Sequence, residues 1–352
     1  MKKNILTLLL ATVISAVSPI VFAQQTVDDA KVLFTKSASG DAELVASMLR
    51  NGAAGDVWSQ NALGFRYYAG KGVRQNYTDS MTWYRKAADQ GNADGQYGLG
   101  VLYDKGQGAP QNYAEAMAWF RKAANQGHVD AQYNLGCLYS EGKGVSQNYP
   151  EAMTWFRKAA DQGHSLAQFN LGGLYKFGRG VPQDYVEAIK WYRKAADQGN
   201  FDAQFQLGNL YENGQGVPQN YADAMNWYRK AADQGYSVAQ LHLAYIYENG
   251  QGVPQNYANA INWYRKAAEQ GQSLAQYGLA TMYDNGHGVK VDFVQAYKWA
   301  TLSKALSDPN DETYKLASTG MEIMIKKMTP TQITHAQQEA SDWTAKHQGA
   351  SK

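Results

Sequence analysis

Trp83, Trp119, Trp155, Trp191, Trp227, Trp263 and Trp299 stand 36 residues apart, one after the next, with no insertion or deletion between them. A period held so strictly over seven copies marks a repeat array. Each copy is a supersecondary piece too small to bury its own apolar face, so it must stack on its neighbours. Cutting after the recurrent Gln-Gly gives copies at 56–91, 92–127, 128–163, 164–199, 200–235, 236–271 and 272–307. An array also accommodates 352 residues, more than one compact core usually holds.

Every copy reads as two helices. In "AQYNLGCLY" (131–139), Ala131, Leu135, Leu138 and Tyr139 fall at i, i+4, i+7 and i+8, one face of a 3.6-residue period. In "YPEAMTWFRKAA" (149–160), Tyr149, Ala152, Met153, Phe156, Ala159 and Ala160 recur at helical spacing and Trp155 widens the face. So wide an apolar face suits a helix packed within its own copy and against the next. The tryptophans therefore read as core.

The boundaries have local causes. Asn112, Asn148, Asp184 and Asn220 are placed to cap the second helices, and Glu115, Glu151, Glu187 and Asp223 three residues on complete or approximate capping boxes. Pro150 sits in a first turn, where its missing N–H does no harm. Gly127, Gly163, Gly199 and Gly235 follow "RKAA" where a left-handed residue ends a helix. The loop pair, such as Gly214 and Gly216, is glycine in every copy, as positive φ requires. The mid-helix glycines Gly64, Gly100, Gly136, Gly172 and Gly208 give way to Ala244 and Ala280, so that position asks for smallness.

The pattern AQ-x-x-LG-x-LY-x-x-G-x-GV, followed by (N/D)Y-x-x-A-x-x-W-(Y/F)-x-KAA-x-QG, resembles the Sel1-like repeat, a relative of the tetratricopeptide repeat, over residues 56–307. The resemblance implies an all-α, right-handed solenoid whose first helices line a concave surface. It also implies an adaptor role in assemblies, envelope processes or host contact. The seventh copy departs from the pattern, with "WATLSKALSDPND" in place of "WYRKAADQGN", as an end-capping copy would.

The flanks read as caps. "LFTKSASGD" (33–41) echoes "WFRKAADQGN", so 24–55 is expected to be an N-terminal helical cap. Residues 308–352 are expected to form a C-terminal one, with a helix from Asp311 to Met328 and a second opened by Thr329 as N-cap, Pro330 at the first position and Gln332 closing the box. At the extreme N-terminus Lys2 and Lys3 precede an apolar run, Pro19 and "VFA", the order of an export signal cleaved after Ala23. The mature chain would begin at Gln24 and reside in the periplasm or beyond it. Its apolar run is too short to span a bilayer and no later stretch approaches the ~20 apolar residues a span needs, so no membrane span is expected.

Composition excludes further classes. Formal charge is +2, and without Lys2 and Lys3 the basic and acidic residues number 31 each. That balance lacks the basic stripe needed to neutralise phosphates, so nucleic acid is not an expected partner. Cys137 is the only cysteine, so an exported form has no internal disulfide and depends on packing.

Motifs with chemical potential resolve into structural ones. "GQGVP" lacks the Gly-Lys-Ser/Thr and the preceding strand of a phosphate cradle and reads as a turn. The six histidines show no metal-ligand spacing, and no cofactor is expected. Some relatives of the family are associated with β-lactams, and Ser140 to Lys143 is a formal S-x-x-K match. No S-D-N or K-T-G accompanies it, and the Ser140 position holds Asp104, Lys176, Glu212 and Glu248 in other copies. Catalysis is therefore not expected. A peptidoglycan-peptide or β-lactam enzyme stays as an alternative, as does a secreted host-contact factor.

Arg85, Arg121, Arg157, Arg193, Arg229 and Arg265 form a ladder, with Asp89, Asp161, Asp197, Asp233 and Glu269 placed four residues on to pair with it. The ladder reads as a solvated, charge-balanced edge in preference to an anion track. Recognition is expected elsewhere. Positions that differ between copies cluster at i, i+4, i+7 and i+11 of each first helix, opposite the Ala/Leu/Tyr face. Asn134, Cys137, Asn170, Phe177, Gln206, Asn209, His242 and Tyr245 on this stripe are the candidate contacts for a protein or peptide partner. Cys137 is either a small half-buried residue or a free thiol in the groove.

Overall fold

The structure, a computed structural model, describes residues 38–348, so the leader expected over 1–23 and much of the cap expected over 24–55 lie outside the described residues. Within it, residues 38–198 and 199–348 form two compact units. All seventeen elements among the described residues are helices.

In the first unit α1 (Ala38–Ala53) precedes four helix pairs. These are α2 (Val57–Ala69) with α3 (Tyr77–Asp89), α4 (Ala93–Lys105) with α5 (Tyr113–Asn125), α6 (Val129–Glu141) with α7 (Tyr149–Asp161), and α8 (Ser165–Phe177) with α9 (Tyr185–Asp197). The second unit holds three pairs: α10 (Phe201–Asn213) with α11 (Tyr221–Asp233), α12 (Ser237–Asn249) with α13 (Tyr257–Glu269), and α14 (Ser273–Asn285) with α15 (Phe293–Ala305). Two further helices, α16 (Glu312–Ile325) and α17 (Pro330–Gln348), pack on α15. From α1 to α9 and from α10 to α16 each helix packs on its successor, so both units are stretches of α-solenoid.

Within a pair the mid-helix glycine sets the approach. A Cβ at Gly136 would stand 2.5 Å from the Phe156 ring, so only a residue without one lets α6 and α7 meet there. The turn between them uses Gly142 and Gly144 at φ 72° and 72°. A side chain at Gly144 would also strike the Tyr113 carbonyl carbon at 2.7 Å, so this glycine seals the loop onto the previous copy.

Capping departs from expectation in one respect. Asn148 accepts a hydrogen bond from the Glu151 backbone N–H at 3.1 Å, as an N-cap should. Its own N–H already donates to the Tyr139 carbonyl at 2.9 Å, at the end of the first helix, so the return half of a capping box has no donor to satisfy. Asn112, Asp184 and Asn220 are built the same way. The full box does form at Thr329, whose N–H reaches Gln332 Oε1 at 2.8 Å while its Oγ1 accepts from the Gln332 N–H at 3.3 Å.

Stacking between copies rests on two ladders of polar side chains. The first is glutamine on glutamine. Gln132 donates to the Ala124 carbonyl of the preceding copy at 3.1 Å and accepts from Gln162, the C-cap of its own second helix, at 2.8 Å. Gln96, Gln168 and Gln240 repeat this arrangement. Each is buried and hydrogen-bonded, so it fixes register without the cost of an orphaned amide.

The second ladder replaces the expected arginine–carboxylate pairs. Arg85, Arg157, Arg229 and Arg265 make no ion pair with the acid four residues on. Each donates instead to a tyrosine hydroxyl eighteen residues on, in the next copy: Tyr103 at 2.8 Å, Tyr175 at 2.6 Å, Tyr247 at 2.6 Å and Tyr283 at 3.0 Å. Arg121 donates likewise to Tyr139. A surface ion pair gains little in water, whereas a half-buried phenol offers an acceptor that water does not screen. The neighbouring lysines lie over the tryptophans, Lys122 at 3.7 Å from the Trp119 centroid and Lys158 at 4.1 Å from that of Trp155.

Candidate functional site

The stripe residues stand on the first helices, and the two units treat them differently. In the first unit the stripe reaches solvent. Phe177 is 56% exposed and Trp58, on α2, 77%. Asn134, Cys137, Asn170 and Gly173 are half-buried. Asn134 hydrogen-bonds the Tyr97 hydroxyl and Asn170 that of Tyr133, so both amides are held by the first helix of the preceding copy. Cys137 shares Tyr133, and burial pushes its thiol up to about 12. It is a half-buried, free cysteine, and at neutral pH it is a thiol rather than a thiolate.

The second unit corrects the exposure expected of the stripe. Gln206, Asn209, His242 and Tyr245 are buried, at 8%, 2%, 1% and 5% exposure. In α12 every residue from Ala239 to Ile246 is buried, so this helix is enclosed on all sides. The enclosed space is polar. The His242 ring packs edge-on to Phe205 at 5.2 Å and against Tyr228 at 4.9 Å, and its Nδ1 lies 3.4 Å from the Glu212 carboxylate. Tyr228 donates its hydroxyl proton to the same carboxylate at 2.5 Å, and Asn209 stands beside it with its Nδ2 buried and without a hydrogen-bond partner among the described residues.

One copy further on, Tyr264 donates to Glu248 at 2.6 Å, and the position that corresponds to His242 is Gly278. The two carboxyls consequently shift in opposite directions. Burial pushes both up. At Glu212 the close approach of His242, with the Tyr228 hydroxyl, outweighs it and holds the carboxyl below its usual range. At Glu248 burial prevails over the Tyr264 hydrogen bond and the weaker charge effect of His287, and the carboxyl stays raised.

Other candidate chemistry resolves structurally. Ser140 donates its hydroxyl to the Cys137 carbonyl at 2.9 Å, and Lys143 pairs with Glu141 at 2.7 Å. That hydrogen bond raises the lysine further, so Lys143 is held protonated and is no base for Ser140. His128 and His164 are N-caps. Each accepts a backbone N–H through Nδ1 and approaches the preceding copy's Asp94 or Asp130 through Nε2 at 3.4 Å, stacked on Tyr97 or Tyr133. Among the described residues no group of three His, Cys, Asp or Glu is placed to hold a metal, and no helix is long and apolar enough to cross a membrane.

Comparison with known proteins agrees with this geometry. The Sel1 repeat family model matches seven consecutive segments, residues 59–92, 93–128, 129–164, 165–200, 201–236, 237–272 and 273–308. Among solved structures, a Sel1 repeat protein from Oxalobacter formigenes is 32% identical with a TM-score of 0.66, over 83% of this chain and 83% of its own. A protective antigen of uropathogenic Escherichia coli strains, displaying an SLR fold, is 32% identical with a TM-score of 0.55, over 86% of this chain and 72% of its own. Nothing among curated proteins matches the chain. Sel1 repeat proteins are in general protein-interaction scaffolds, and the polar ladders and capped helix pairs described above are the parts such a scaffold needs. With seven matched repeats covering most of its length, the chain belongs to the Sel1 repeat family.

Proposed function

We propose that the chain is a non-enzymatic adaptor of the bacterial envelope that holds a protein or peptide partner along the first-helix stripe of residues 38–198. One observation supports this reading above the others. The residues shared between copies are occupied in stacking, while the variable stripe of this unit keeps large apolar groups, Trp58 and Phe177, in water between half-buried amides. Exposed aromatics flanked by hydrogen-bonding side chains are the usual anchors of a protein interface. The buried Gln206, Asn209, His242 and Tyr245 would then shape the fold of the second unit and touch no partner directly.

The test is affinity capture from envelope extracts by wild type and by a triple variant, Asn134→Arg, Asn170→Arg and Phe177→Ala. Partner capture should vanish in the variant while circular dichroism stays unchanged; full capture would sink the reading. Periplasmic residence rests on the leader-like 1–23. A second reading, a released factor that contacts host proteins, draws support from the 32% identity to a protective antigen. Fractionation of cells and medium separates the two locations.

A further inference from the structure

The edge built by the second helices carries a cleft in the second unit. It has a volume of about 470 Å³ and is lined by Arg229 of α11, Tyr247 of α12, and Asn259, Asn262, Trp263, Arg265, Lys266 and Glu269 of α13. Three cations therefore face a single carboxylate. None of the three lies within 4.0 Å of an acid among the described residues, so their charge is not neutralised inside the chain.

One sequence change sets this copy apart from those before it. The third position of each earlier second helix is acidic, Asp79, Glu115, Glu151, Glu187 and Asp223, whereas α13 has Asn259. In α9 that acid also holds a lysine, Glu187 with Lys190 at 2.5 Å, at the position where α13 has Asn262. The tryptophan here is not covered. Trp119 and Trp191 lie under Arg85 and Arg157 at 5.4 and 5.3 Å and are buried, while Trp263, like Trp83 and Trp227, remains partly exposed. The result is an opening with cations, two amides and an aromatic wall.

We infer that this cleft is a second docking site, which takes the side-chain carboxylates of an acidic peptide. Arg229 and Arg265 are oriented by their bonds to Tyr247 and Tyr283 and keep N–H groups for a carboxylate fork. Asn259 and Asn262 both donate and accept, so they can pair with the N–H and C=O groups of a peptide backbone, whereas a phosphate would use their N–H groups alone. Trp263 and Tyr247 supply a surface for the methylenes and rings beside the acids. The site uses none of the residues of the first-helix stripe and does not depend on that reading.

Calorimetric titration of the full chain at low salt tests it, with acetyl-Glu-Glu-Phe-Glu-Glu-amide, its all-glutamine counterpart and inorganic phosphate as probes. The acidic peptide should bind saturably and the glutamine peptide should not. Asn259→Glu should weaken binding about tenfold by returning the missing charge, and since an acid at that position favours the helix it carries no folding penalty. Arg229→Gln with Lys266→Gln should weaken it further, and Arg121→Gln with Lys158→Gln, the same change in another copy, should leave it intact. Absence of peptide binding overturns the inference. So does equal binding of the glutamine peptide, or phosphate binding as tightly. Indifference to Asn259→Glu, or equal loss in the Arg121 and Lys158 control, would do the same.

Discussion

Asn134 and Cys137 of α6 correspond, copy for copy, to Gln206 and Asn209 of α10 and to His242 and Tyr245 of α12. The first two are half-buried and the last four are buried. The backbone underneath is the same, down to a left-handed glycine at each turn and one glutamine ladder in each unit. What differs is the second helix, where Phe156 in α7 becomes Tyr228 in α11, and what faces it, where Ser140 becomes Glu212. One hydroxyl and one carboxylate turn an apolar contact into a buried polar network. A repeat of fixed length thus separates the parts that stack from the parts that vary, and variation alone decides whether a stripe is surface or interior.

The largest expected effect breaks the shared packing in both units. Phe156→Ala and Tyr228→Ala each remove a large buried ring and should cost about 3–5 kcal/mol in urea unfolding. Tyr228→Ala should cost more, because it also strips Glu212 of its hydroxyl donor. Tyr228→Phe isolates that extra part and should cost about 1–3 kcal/mol, the range for a buried acceptor that loses its partner. Equal losses from the two alanine variants would mean that the network contributes nothing and that the units differ in appearance only.

His242→Leu sharpens the comparison inside the second unit, with an expected cost of about 2–3 kcal/mol at neutral pH for leaving a buried carboxylate short of a partner. Glu212 is now held below 4.5, so its contribution is complete above that pH and is lost as pH falls through the folded value. Without His242 its carboxyl should move up, in the direction shown by Glu248. The variant should then recover stability as pH falls from neutral toward the raised value, where wild type does not. A carboxyl that stays low by NMR titration would show that Tyr228 alone holds it.

Lys176 of α8 tests the same principle in the first unit. It is 5% exposed, and burial pushes its ammonium down to about 8 from 10.5. The folded state therefore carries a penalty at neutral pH that disappears as pH rises from about 8 to 10.5, where only the unfolded chain still binds the proton. Lys176→Met should stabilise the protein by roughly 2 kcal/mol at neutral pH, with the gain shrinking over that window. A variant no more stable than wild type would show that the ammonium is fully compensated where it sits.

Much of this arrangement was legible in the sequence. The tryptophan period gave the copies, and the Asn and Gly positions gave the helix ends, because those depend on neighbours within a few residues. The glutamine and arginine ladders were not, although Gln132 with Gln162 and Arg157 with Tyr175 recur at fixed separations of 30 and 18 residues. Their partners are set by how copies stack, and a charge four residues away looked like the nearer match. The buried stripe did leave a signal: "QLHLAYIY" (240–247) is apolar on both faces, which marks a helix enclosed all round. Its histidine, placed at the variable position, drew attention to recognition instead.

The smallest perturbation reads the enclosure of the first unit's stripe directly. Cys137 sits where Asn209 and Tyr245 are buried in the second unit, yet as a residue it is half-buried, and its thiol is bonded to Tyr133. A rise from 9.0 to about 12 lowers the thiolate fraction at neutral pH about a thousandfold, and the thiolate is the form that reacts. Labelling with a disulfide reagent should therefore be slower than for a free cysteine by about that factor, and the unfolded chain should react normally. Tyr133→Phe removes the hydrogen bond and opens a little space, so it should change the rate without changing stability by more than about 1 kcal/mol. If labelling of the native protein is fast, the stripe around Cys137 opens on the labelling timescale. The difference between the two units would then lie in motion rather than in side-chain size.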